Sequence, residues 1–142
     1  MRHGKWFSRT ALVVALVLLS AGCGGGELSA GALSKQADSV RSLASEGALL
    51  AEEATAGKET GTFTRVHSSE LEKAAAKTAS TLETTKTRPA LEPKLHRLAR
   101  LARGVSDNLE QLGSASKSEQ RALANELQRA AHRSNRIAEG LK

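Results

Sequence analysis

Between residues 91 and 112 the apolar side chains stand at Leu91, Leu95, Leu98, Ala102, Val105, Leu109 and Leu112. The intervals alternate strictly between four and three residues. At 3.6 residues per turn that alternation keeps one face of an α-helix apolar, whereas a strand would need alternation at every second residue. The pattern predicts a helix from about Ala90 to Leu112. Gly113 follows the last apolar residue, where a helix C-cap is expected. A stripe of this kind has to be buried against other elements, so the rest of the chain must supply partners of matching shape.

Three further segments do so. The first runs roughly from Leu28 to Ala56, with Leu33, Ala37, Val40, Ala44, Gly47, Ala51 and Ala54 on one stripe and Leu43 and Leu50 flanking it. Its residues are small, which lets a partner helix come close; Gly47 is costly inside a helix and marks a candidate close contact. Gly57 and Gly61 break the pattern. The second segment runs roughly from Phe63 to Lys86, with Phe63, His67, Leu71, Ala74, Thr78, Leu82 and Thr85 expected to share a face. A linker from Thr84 to Pro93 carries both prolines of the chain, placed where a helix can begin without an amide hydrogen. The fourth segment opens on Ser116-Lys117-Ser118-Glu119, the signature of a capping box, and continues to about Leu141. Its stripe is Leu123, Leu127, Ala130, Ser134, Ile137 and Leu141.

Beyond residue 22, Phe63 is the one aromatic residue, and Ala, Leu, Glu, Lys, Arg and Ser dominate. Such a chain lacks the large rings that fill a sheet sandwich and is rich in strong helix formers. The expected fold is all-α, an up-and-down four-helix bundle over residues 28–142. A three-helix bundle with a partly loose first segment is the alternative.

The residues ahead of this domain read differently. Arg2, Lys5 and Arg9 stand in an acid-free start, followed by nine apolar residues from Ala11 to Leu19 and the small residues Ser20, Ala21 and Gly22. A basic start, a short apolar run and a small-residue site make a secretory signal. The run is too short to span a bilayer, which takes about 20 apolar residues. The sole cysteine, Cys23, stands directly after the small residues.

Leu19-Ser20-Ala21-Gly22-Cys23 resembles the lipobox of bacterial lipoproteins, although the position three before the cysteine, most often Leu in that class, is Ser20. The resemblance covers residues 1–23. It implies that residues 1–22 are a cleaved signal and that Cys23 becomes the lipidated first residue, carrying a diacylglycerol on sulfur and often an acyl chain on nitrogen. Residues 23–27, with Gly24, Gly25 and Gly26, would then be a short flexible tether. The implied location is the extracytoplasmic face of the cell membrane, with the bilayer itself as one partner. Two or three acyl chains anchor stably where one binds only marginally, since each buried methylene contributes about 0.8 kcal/mol.

Charge divides along the sequence. Cys23 to Thr85 carries six basic and nine acidic residues, while Lys86 to Lys142 carries twelve basic and six acidic. Arg97, Arg100 and Arg103 lie off the third stripe, and Arg129, Arg133 and Arg136 off the fourth. These six are candidate contacts for an anionic surface, such as lipid headgroups or a wall polymer. A solvated helix face with internal ion pairs is the competing reading. The implied location argues against nucleic acid as a partner.

Chemistry-bearing constellations are sparse. His67 and Glu70 are the candidates for a metal or ligand site, against a histidine satisfied by a carboxylate or carbonyl of another helix. The di-iron pattern of bundles needs Glu-x-x-His on two helices, and His67-x-x-Glu70 runs the other way. His96 and His132 fall off the stripes. A cysteine-based zinc site needs more than one cysteine, and no phosphate loop or supported nucleophile grouping occurs. The expectation is a non-catalytic, cofactor-free helical-bundle binding protein of the cell envelope, whose partner is an envelope protein or an anionic polymer. The alternatives are a small sensor using His67 and Glu70 and, ranked below it, a di-metal enzyme.

Overall fold

A computed structural model describes residues 26–142; the predicted signal and Cys23 lie outside the described residues. The described residues form four helices, α1 (Ala30–Thr55), α2 (Gly61–Thr84), α3 (Glu92–Leu112) and α4 (Lys117–Glu139), with no strand among them.

Each helix starts where local chemistry satisfies its free amides. The Ser29 hydroxyl accepts from the Ala32 N–H at 3.2 Å, and the Thr60 hydroxyl accepts from the Phe63 N–H at 3.1 Å. Pro93 sits in the first turn of α3, where its missing N–H costs nothing. Ahead of α4 the Glu119 carboxylate accepts from the Ser116 N–H at 2.7 Å, as the capping box predicts. The turn between α1 and α2 contains Gly57 at φ +71°, a conformation that suits glycine.

Cross-helix contacts fix the directions. In α1 and α4, the buried Ser134 hydroxyl donates to the Ala37 carbonyl, and Gly47 lies against Leu127. In α2 and α3, Gly113 lies against Ser68, while Arg103 pairs with Glu83. Glu46 of α1 meets His67 of α2. Consecutive helices therefore run antiparallel. The most extensive packing is α1 on α4 and α2 on α3.

The core is aliphatic throughout, built from Leu, Ala, Val and Ile of all four helices. Leu33, Ala37, Ala44 and Ala51 of α1 are fully buried, so the first segment is an integral member and the three-helix alternative does not hold. The expected contact at Gly47 is present: a Cβ there would stand 2.5 Å from Leu109 Cδ2 and 3.2 Å from Leu127 Cδ1.

The face of α2 differs from expectation by one residue. Its buried positions are Thr64, Ser68, Leu71, Ala75, Ala79 and Leu82, while Phe63 is 47% exposed and Ala74 is exposed. Thr64 and Ser68 can be buried because their hydroxyls donate to carbonyls of their own helix, Thr60 at 3.1 Å and Arg65 at 3.2 Å.

Ahead of α1 the chain is pinned. The Leu28 N–H donates to the Lys86 carbonyl at 2.9 Å, and the Thr87 hydroxyl donates to the Leu28 carbonyl at 2.7 Å. Residue 26 thus leads into the bundle beside the α2–α3 linker. This end, the Leu28 end, also holds the start of α3 and the finish of α4. The opposite end holds the Gly57 turn.

Candidate functional site

His67 lies at the rim of α2, half-buried, rather than on the inward stripe. Its Nε2 is 3.0 Å from Glu46 Oε1 of α1, and its Nδ1 is 3.7 Å from Glu70 Oε2. The first distance is a hydrogen bond; the second is electrostatic contact only. Phe63 stacks on the ring, with centroids 5.6 Å apart and planes at 23°. The structure brings His67 and Glu70 together and adds Glu46, which sequence spacing on α2 could not reveal. Among the described residues, no group of three His, Cys, Asp or Glu side chains is placed to hold a metal ion. The arrangement ties α1 to α2 at the surface, with the histidine satisfied by a carboxylate of another helix. His96 and His132 are exposed.

The six candidate arginines divide. Arg103 binds Glu83 through Nη2 at 2.8 Å, with Nε also directed at that carboxylate. Arg129 pairs with Glu126 of its own helix at 2.5 Å. Arg97, Arg100, Arg133 and Arg136 make no ion pair among the described residues. Three of these, Arg97, Arg133 and Arg136, line one groove between α3 and α4, together with Lys94, Leu101, Ile137 and Gly140. The groove has a volume of about 390 Å³. Four cationic side chains surround it, and no acidic side chain lines it.

Lys94 has a local role, since its Nζ donates to the Gly140 carbonyl beyond the end of α4. Cations are favourable at a helix C-terminus, which accounts for Lys94 and Arg136 in part. That reason does not extend to Arg97 and Arg133, which stand further from the end of α4. The nearby acids are engaged or apart: Glu139 accepts from Asn135 at 2.8 Å, Asp38 pairs with Arg41 at 3.3 Å, and Glu92 occupies the first turn of α3.

The groove belongs to a larger separation of charge. Contacts between helices place the middle of the bundle near residues 42, 73, 103 and 128 of the four helices. The half at the Leu28 end, residues 26–42, 74–103 and 129–142, holds 13 Lys and Arg against 5 Asp and Glu. The half at the Gly57 end, residues 43–73 and 104–128, holds 5 against 10. A division that looks N-terminal to C-terminal along the sequence is end to end in space.

At the Gly57 end, Leu49, Phe63 and Val66 are exposed by 54%, 47% and 55%. No described helix is long and apolar enough to cross a membrane. No protein-family model matches the chain, and comparisons with curated proteins and with solved structures find no match.

Proposed function

We propose that the chain is a lipid-anchored protein of the extracytoplasmic membrane face, an up-and-down four-helix bundle behind a cleaved lipoprotein signal. On this reading it works by binding and carries out no catalysis. The observation that carries it is the stretch Leu19 to Cys23, a lipobox-like site after a basic start and a short apolar run, with the sole cysteine in the lipidated position. The bundle geometry is consistent with such an anchor. Residue 26 enters at one end, where Leu28 and Thr87 pin the chain, and it is the last of three consecutive glycines, Gly24 to Gly26. A Gly-rich chain of a few residues reaches only about 10 Å. The Leu28 end would stand next to the bilayer, and the acidic Gly57 end, with Leu49, Phe63 and Val66 exposed, would face away toward an envelope partner.

Metabolic labelling with a fatty-acid probe, followed by membrane fractionation of wild type and Cys23→Ala, tests the anchor. Label and membrane association should both be lost in the variant; unchanged labelling contradicts the reading.

A second reading, a small ligand or metal sensor at His67, draws on the two carboxylates flanking one imidazole, Glu46 and Glu70. Both glutamates are exposed and His67 is only half-buried, which favours the binding reading over it.

A further inference from the structure

We propose that the groove between α3 and α4 seats the phosphate of an anionic phospholipid headgroup, so that the bundle stands on the membrane through its Leu28 end. Four observations lead there. Lys94, Arg97, Arg133 and Arg136 converge on one concavity without an acidic side chain in its lining. The three arginines make no ion pair among the described residues, so like charges face each other across the groove without compensation. Guanidinium groups present planar forks of donors that match phosphate oxygens. Leu101 and Ile137 add apolar surface beside these cations, which suits an amphiphile rather than a bare ion.

Position selects the source of the phosphate. The groove lies in the half of the bundle where residue 26 enters, and that half carries the excess of basic residues. Lys86 and Arg88 of the linker extend the basic surface beside the pinned Leu28. Attraction to an anionic leaflet falls off within a Debye length, about 10 Å at 0.1 M salt. A basic groove at the opposite end would stand most of a bundle length farther from the surface; this one lies in the half nearest the tether. The cationic end approaches the surface while the acidic end is repelled, so the charge separation orients the bundle as well as holding it.

The choice of membrane rests on the anchored reading, whereas the recognition of the headgroup rests on the groove alone. The test uses the full chain as isolated from cells, mixed with vesicles of phosphatidylcholine alone or of phosphatidylcholine with phosphatidylglycerol. Amide hydrogen exchange is followed over residues 94–101 and 133–140. Exchange there should slow several-fold only with phosphatidylglycerol, and the slowing should vanish in Arg97→Gln/Arg133→Gln and fade as salt rises. Arg65→Gln/Arg121→Gln, at the other end, should keep it. Equal exchange with both vesicles overturns the proposal. Equal slowing by inorganic phosphate alone overturns the lipid assignment. Flotation with the phosphatidylcholine vesicles reports the anchor separately, so a missing anchor leaves the comparison between vesicles readable.

Discussion

Ser134 of α4, fully buried, donates its hydroxyl to the carbonyl of Ala37 in α1 at 2.6 Å. This bond fixes the level of α4 against α1 within an otherwise aliphatic seam. Ser134→Ala should lower stability by about 1 kcal/mol, the usual net worth of such a bond. Ser134→Leu should cost more, about 1–3 kcal/mol from overpacking added to the lost bond. Chemical denaturation of the full chain checks both.

Two glycines inside helices should answer differently to the same change. A Cβ at Gly104 meets nothing within 4 Å, so Gly104→Ala should raise stability by about 0.5–1 kcal/mol. At Gly47 the added carbon would press on Leu109 and Leu127, both fully buried. There the overpacking outweighs the gain in helix propensity, and Gly47→Ala should lower stability by about 1 kcal/mol. Equal effects at the two sites would contradict the described packing of α1 on its neighbours.

Glu119 should lend the fold a pH dependence. Hydrogen bonds from the Ser116 side chain and then from its backbone N–H hold the Glu119 carboxyl below the ordinary carboxylate range. A carboxyl lowered in the folded state stabilises above its unfolded value, and that contribution disappears as pH falls through the lowered folded value. Glu119→Ala should therefore be less stable than wild type at neutral pH, and the gap should close in acid. A gap that stays constant with pH would show that the carboxylate charge plays no part at the cap.

The pair His67–Glu46 should matter little to stability. Both side chains are partly exposed, and such pairs contribute about 0–1 kcal/mol. His67→Ala should change stability by less than about 1 kcal/mol, and zinc should not raise the melting temperature of wild type. A zinc-dependent rise that His67→Ala removes would favour the sensor reading.

Much of this fold is legible before any coordinates. Within α1, α3 and α4 the stripes are buried where their spacing places them, with Leu91 and Leu141 partly buried beyond the helix ends, because small or aliphatic residues at that spacing are separated by polar and charged ones and leave one apolar face each. The face of α2 was not legible to the residue. Ala74, Ala75 and Ala76 put the same side chain on neighbouring faces, and Phe63 draws a stripe through itself although it lies outside. Thr64 and Ser68 look like surface residues until their hydroxyls are seen turned back to their own helix.

The groove shows a different limit. The arginine spacings on α3 and α4 are plain in the sequence, but Lys94 belongs to no run and carries no such signal. Folding the α3–α4 hairpin about Gly113 to Ser116 would have set Lys94 beside Arg136 and Arg97 beside Arg133. The hairpin itself was the available signal. Which arginines are neutralised depended on Glu83 reaching Arg103 from another helix, and no periodicity within α3 contains that information.

The intact mass of the chain recovered from the membranes of cells that make it tests the central claim most directly. The account predicts a product that begins at Cys23 and carries at least the diacylglyceryl mass on that residue. A product with a free Cys23 thiol, or one still carrying residues 1–22, would contradict it.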